Sequence, residues 1–320
     1  MNTVNEERNY LKVVVTGATS MIGSALIEAF LHNGVEKIYA IVREDTTKIY
    51  RIPINTKICI IKCNADNYDS LIERIENKCD LFYHFAWSLT GKERNNNIDE
   101  QIKNISYTLN ALRVAKELGC EKFIGAGSQA EYGKLNIDYI SEASPINPIQ
   151  AYGIAKYTAG KVVLEEANNI NIDCFWVRIF SVYGKYDKES SMINYAINKF
   201  IKNEETEFTL AKQKWDYLYR DDAGEAFYYI GLCSKGRKVY CLGSGKCREL
   251  SEFIIDISKE TGYTKEIGFG KKELKDCDDI SICADISLLQ KDTNWKPKTS
   301  FIEGIKKQIE YIKTNKRYDI

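Results

Sequence analysis

The feature that most constrains this chain is the octapeptide Thr16-Gly17-Ala18-Thr19-Ser20-Met21-Ile22-Gly23, because of what stands on either side of it. Residues 11–16 (LKVVVT) are a nearly continuous apolar run. A run without polar alternation predicts a strand buried on both faces, as in a parallel sheet. Beyond the octapeptide, Ile22, Leu26, Ala29 and Phe30 recur at spacings of three and four, which predicts a helix over 21–32. A strand that enters a helix through a glycine turn is shaped to receive a pyrophosphate. The first glycine permits the tight turn, the middle position brings the backbone close, and the last lets helix pack on strand. The helix N-terminus then offers free N–H groups and partial positive charge. Gly17 and Gly23 hold the outer positions. Ser20 holds the middle one, where its hydroxyl can donate to a phosphate oxygen or cap the helix. Gly17, Ser20, Met21, Ile22 and Gly23 are thus candidates for the phosphate side of a dinucleotide site.

The alternation continues through the first half. Strands are predicted at 37–42, 57–62, 81–85, 122–126 and 173–179, and helices at 68–77, 104–118 and 151–168. Strands alternating with helices define βαβ units and a doubly wound parallel sheet. After residue 180 the rhythm breaks. Helices are predicted at 190–202, 223–233, 250–260 and 301–313, an extended piece at 215–219 and a strand at 238–242. No repeat or low-complexity linker divides the chain. The expected architecture is an α/β, Rossmann-type NADP(H)-binding domain over 1–180, joined by a strand returning from about 238–243. A smaller mixed α/β substrate lobe fills 181–320.

Composition removes several classes of function. Lys plus Arg and Asp plus Glu both number 45 in 320 residues, so there is no electrostatic case for nucleic acid or an anionic membrane. Only two histidines, His32 and His84, are present, too few for most zinc, di-iron or Ser-His-Asp sites. None of the ten cysteines stands in a CxxC pair and several lie in apolar runs, the pattern of reduced, buried thiols in a cytoplasmic protein without a metal. The first ten residues carry no apolar signal region, and no apolar run approaches the ~20 residues of a membrane span.

The end of the second strand should face the adenosine ribose. Arg43 stands there, placed for a 2′-phosphate, with Glu44 and Asp45 beyond it arguing for a 2′-hydroxyl. NADP(H) is favoured, with NAD(H) the alternative. Asp66, after the third strand, is a candidate for the adenine edge or an ordinary turn aspartate. Tyr152 and Lys156 fall on one helical face at i and i+4, where an ammonium stabilises a phenolate and makes the phenol a usable acid or base. Ser128 follows the fifth strand at the carboxyl edge of the sheet, where ligands bind. It can hold a carbonyl or hydroxyl oxygen while hydride moves.

These landmarks resemble the extended short-chain dehydrogenase/reductase family, of the nucleotide-sugar epimerase, dehydratase and reductase type. The resemblance covers nearly the whole length: TGATSMIG (16–23), HFAW (84–87), Asn104, GSQAEYG (127–133), YGIAK (152–156), VRIFSVYG (177–184), WDYLYRDDAGEAF (215–227) and WKPKTSFIEGI (295–305). It implies that Ser128, Tyr152 and Lys156 are the catalytic triad, and that Asn104 supports the lysine from the helix behind. Ala86 would lie against the cofactor, with His84 packed before it in a core or a functional role. Helices 104–118 and 151–168 would form the interface of a homodimer. The departures also inform. Family dehydratases place an Asp-Glu pair after the edge serine or threonine, whereas this chain has Gln129 and Ala130, with Glu131 one place late; 4,6-dehydration is disfavoured. Ser181 and Trp215 replace the family's usual asparagine and diphosphate-gripping arginine, leaving Lys212 and Lys214 to neutralise phosphate. Trp87 would narrow the sugar pocket. The candidate substrate contacts are therefore Trp87, Ser128, Gln129, Ala130, Ser181 and Lys214. The implied activity is reduction of a keto group at C4 of a nucleotide-linked deoxyhexose, with hydride from NADPH and a proton from Tyr152. The alternatives are an NAD-dependent 4-epimerase on the same triad and a non-catalytic cofactor sensor.

Overall fold

Val13, Val14 and Val15 are fully buried, as an unbroken apolar run requires when both faces of its sheet are covered. The computed structural model describes residues 11–76, 78–273 and 281–315. Its ten strands are β1 (Lys12–Thr16), β2 (Lys37–Val42), β3 (Ile58–Lys62), β4 (Leu81–His84), β5 (Lys122–Ser128), β6 (Asp173–Ile179), β7 (Ser181–Tyr183), β8 (Lys214–Tyr219), β9 (Arg237–Leu242) and β10 (Cys247–Glu249). The α-helices are α1 (Met21–Asn33), α2 (Leu71–Arg74), α3 (Ile98–Glu117), α4 (Ala151–Asn169), α5 (Met192–Ile201), α6 (Arg220–Cys233), α7 (Leu250–Thr261), α8 (Ser287–Thr293) and α9 (Phe301–Asn315).

Seven strands form one sheet in the order β3-β2-β1-β4-β5-β6-β9, and every pairing in it is parallel. One face is covered by α1 and α6 through Leu26, Phe30, Phe227 and Ile230. The other is covered by α3 and α4 through Leu112, Ala115, Ala159 and Val163. The strand order reverses between β1 and β4, and Thr16 pairs with His84 across that boundary. Connections leave these two strands toward opposite faces, so a crevice opens at their carboxyl ends, the usual ligand position of such sheets. A second sheet, β10-β8-β7, packs with α5, α7 and α9 around Tyr183, Ile197, Phe200, Ile254 and Ile305.

Several boundaries differ from the sequence expectation. The helix expected at 68–77 is a 3₁₀ segment, Ala65–Ser70, followed by the single turn α2; Asn77 lies outside the described residues. Helix α3 starts six residues before the expected 104, because the Asn97 side chain accepts from the Glu100 amide at 3.0 Å and caps it. Strands β7 and β10 are three residues each, too short to show alternation. Cys247 and Cys283 form a disulfide, which corrects the expectation of reduced thiols throughout. They lie 36 residues apart, and tertiary structure joins them: Trp215 of β8 pairs with Arg248 on one side and Ile282 on the other. Seven other cysteines are free; Cys277 and the first ten residues lie outside the described residues. No helix among the described residues is long and apolar enough to cross a membrane.

Candidate active site

The turn after β1 holds Gly17 at φ +65°, and a Cβ there would stand 2.6 Å from the Ala86 amide nitrogen. Only glycine fits so close a passage of two strand ends, and it sets Ala86 directly against the turn. The Ser20 hydroxyl accepts from the Gly23 amide at 3.0 Å and caps α1. Among the described residues the amides of Met21 and Ile22 have no backbone acceptor. Two unsatisfied donors at a helix N-terminus, in a crevice that a side chain would fill, fit a pyrophosphate. Arg43 follows β2 directly, but its side chain is 70% exposed and lies 3.6 Å from Asp45. Glu44 turns to Asn64. Asp66 is exposed in the 3₁₀ segment after β3.

The three residues expected to carry chemistry converge at the end of β5. Ser128 is its last residue, and α4 begins beside it. A Cβ on Gly153 would collide with the Ala130 carbonyl, so this glycine lets α4 dock on the 128–131 turn and brings Tyr152 to Ser128. Desolvation raises the Tyr152 pKa, while a hydrogen bond with Ser128 and the charge of Arg94 pull it back. The Arg94 guanidinium carbon stands 4.7 Å from the Tyr152 ring centroid, and Asn95 Oδ1 accepts from the Tyr152 amide at 3.3 Å. Lys156 is buried; its Nζ donates to the Ala126 carbonyl at 2.7 Å and lies 3.5 Å from the Trp87 ring centroid. Burial lowers its pKa to about 7, against a smaller opposing pull from Glu131. Trp87 is clamped: its indole N–H donates to the buried Gln101 at 2.9 Å, and its ring stands edge-on to Tyr152 at 6.2 Å.

Other candidates take different places. Glu131 is fully buried, where it accepts from the Ser128 amide (2.8 Å), from Trp176 Nε1 (2.9 Å) and, in an ion pair, from Arg178 Nε (2.7 Å). It braces the serine from inside and does not face the crevice. Half-buried Gln129 and Ala130 flank Ser128 without a carboxylate. His84 is a core residue: its ring bridges Thr16 (2.9 Å) and Thr108 (3.3 Å), and burial lowers its pKa to about 3. Asn104 supports the loop after β4, with its Oδ1 accepting from the Ser88 amide at 2.8 Å and its Nδ2 donating to the Ser88 carbonyl at 3.1 Å. Among the described residues no hydrogen bond joins it to Lys156. Ser181 opens β7 beside Tyr217, two residues after Ile179, the strand partner of Ser128. Lys214 is exposed and pairs with Asp138 at 3.1 Å. Arg94, Asn95 and Gln101 belong to no motif; tertiary structure alone brings them to Tyr152 and Trp87. Among the described residues no three His, Cys, Asp or Glu side chains gather as a metal site.

A pyrophosphate turn at a topological switch point, with a serine, a phenol and a lysine converging on its mouth, defines an oxidoreductase of the short-chain dehydrogenase/reductase type. Residues 13–243 match the NAD dependent epimerase/dehydratase family, and the chain belongs to that family. It is 29% identical over 306 residues to CDP-abequose synthase of Salmonella muenchen, covering 93% of this chain and 97% of that one. It is 26% identical over 313 residues to a putative UDP-glucose 4-epimerase of Methanocaldococcus jannaschii, covering 95% and 99%. Its fold matches the Bordetella bronchiseptica enzyme WbmG in complex with NAD, with a TM-score of 0.82 at 18% identity, covering 95% and 94%.

Proposed function

We propose that this enzyme reduces a keto group at C4 of a nucleotide-linked deoxyhexose. A bound nicotinamide dinucleotide supplies the hydride. The side chains of the crevice supply the rest: the Tyr152 hydroxyl gives its proton to the carbonyl oxygen as hydride reaches the carbon, and Ser128 holds that oxygen by hydrogen bond. The Arg94 guanidinium favours the phenolate left behind, and Lys156, one turn further along α4, is placed to add its charge when protonated. Elimination finds no support, because Glu131 is spent on Arg178 and Trp176, and the two positions after Ser128 are Gln129 and Ala130.

The observation that carries reduction over epimerisation is Trp87. An epimerase must turn its keto sugar over between two hydride transfers, and that needs room. Here an indole clamped by Gln101 and Lys156 walls the space beside Tyr152. The 4-epimerase reading keeps one observation in its favour. Arg43 faces Asp45 and solvent, which leaves NADP(H) resting on strand register alone, and WbmG is complexed with NAD. The test is nicotinamide oxidation with CDP-, dTDP-, GDP- and UDP-linked 4-keto-6-deoxyhexoses, with NADPH and NADH compared. No oxidation of either overturns the reductase. Stoichiometric NAD released from denatured protein, together with interconversion of UDP-sugars, selects the epimerase.

The proposal includes a homodimer, supported by Ile98 and Ile102 exposed on α3 and Ile154 exposed on the adjoining α4. It also places the enzyme in the cytoplasm, supported by the seven free cysteines. Alkylation in cells followed by mass mapping tests that placement through the state of Cys247 and Cys283.

A further inference from the structure

Arg43 is the arginine that sequence register points at the nucleotide, yet the cation that the structure seats against the pyrophosphate turn is Arg51. Its Nη1 donates to the Thr19 carbonyl at 3.3 Å, inside the glycine turn. Its Nε is buried and has no partner. Among the described residues no carboxylate lies within ion-pairing distance of it. The guanidinium is held flat by aromatic rings, with its carbon 4.6 Å from the Tyr186 centroid and 5.9 Å from that of Tyr50. Tyr186 comes from the loop after β7, so the two loops meet across the turn.

Tyr186 sits at φ +73°, a left-handed conformation that a bulky side chain keeps only where its surroundings over-determine it. Those surroundings are cationic. Lys185 Nζ lies 4.8 Å and the Arg220 guanidinium carbon 5.7 Å from the same ring. Arg220 is neutralised by Glu28 and Asp221. Among the described residues Arg51 has no such acid, and it adds its charge to the positive end of α1. An uncompensated guanidinium with spare donors, fixed at the rim of an anion-binding turn, is suited to a phosphate oxygen.

We propose that Arg51 is a phosphate-contacting residue of the dinucleotide site, held in place by Tyr186 across the turn. The inference rests on the dinucleotide reading of the crevice. The shared ligand chemistry is a phosphate group, from the pyrophosphate of either dinucleotide or from the 2′-phosphate of NADP.

The test is nucleotide binding to the full chain and to its Arg51→Ala and Arg43→Ala variants, using NADH, NADPH, ADP-ribose, 2′-phospho-ADP-ribose and adenosine as probes. Arg51→Ala is expected to weaken phosphate-bearing probes by about 10- to 100-fold. Adenosine affinity is expected to stay within about twofold, which separates phosphate contact from collapse of the loop. Loss across NADH, NADPH and ADP-ribose assigns the pyrophosphate; loss confined to NADPH and 2′-phospho-ADP-ribose assigns the 2′-phosphate. Unchanged affinity for every probe, or an equal loss for adenosine, overturns the proposal while the dinucleotide reading stands. A wild-type chain that binds none of the nucleotides overturns both.

Discussion

In the proposed reaction Tyr152 and Lys156 act as one unit, and their surroundings decide how. Tyr152→Phe removes the transferable proton and leaves the ring contacts of Arg94 and Trp87 in place. Turnover should fall by about 100- to 10,000-fold with dinucleotide affinity nearly unchanged. Steady-state kinetics beside a binding titration check this, and a variant that still turns over would remove the phenol from the chemistry. Lys156 makes a pH prediction. Its folded pKa, lowered to about 7, lies below that of an unfolded lysine. The unfolded chain therefore binds more protons between about pH 7 and pH 10, and stability of the nucleotide-free protein rises with pH through that window. Lys156→Met abolishes this contribution. Denaturant midpoints of wild type, taken relative to the variant, should climb from pH 7 to pH 9; a flat difference would show that the lysine is not depressed.

Elements set the distances that residues use. The 128–131 turn is fixed from beneath by Glu131 and from above by α4, whose approach depends on Gly153. Glu131→Ala leaves Arg178 buried without its acid, and such an unpaired charge costs about 3–5 kcal/mol. Chemical denaturation should show that loss, whereas a dehydratase acid at this position would instead show lost elimination chemistry in a stable protein. Gly153→Ala pushes α4 away from Ala130 and so moves Tyr152 from Ser128. We expect kcat to drop about tenfold or more with nucleotide affinity within about twofold. Equal losses in both would mean that the whole crevice had deformed.

At the scale of the whole molecule, one sheet carries the cofactor crevice and a second, smaller sheet carries Ser181 and Trp215. The loops that close across the crevice come from both parts: Lys188, beyond β7, donates to the Thr90 carbonyl at 2.6 Å, and Tyr186 meets Arg51. Association of two copies belongs to this scale as well. Ile102 is 55% exposed on α3. Ile102→Lys places a charge on that face and should convert a dimer into a monomer by sedimentation velocity, with no change in secondary structure. A wild-type chain that sediments as a monomer would remove the dimer from the reading.

The strands, the glycine turn and the Tyr152–Lys156 pair were legible in the linear chain because each is local, and the resemblance added Ser128 to that pair. Apolar runs report burial, glycine spacing reports a turn, and an i, i+4 pair reports a shared helical face. The crevice at the β1–β4 reversal follows from the strand order, which the alternation by itself does not contain. What only the tertiary structure decided depends on contacts between residues far apart in sequence. Glu131 stands one place from a catalytic register, yet points inward because Arg178 and Trp176 lie on the next strand. Arg94 and Arg51 carry no motif, and reach the phenol and the pyrophosphate turn only because separate loops fold over the same crevice. Cys247 and Cys283 meet because β10 and residues 282–284 flank β8. Local periodicity encodes elements, whereas the partner of a charge or a thiol is set by packing, which no short stretch of sequence contains.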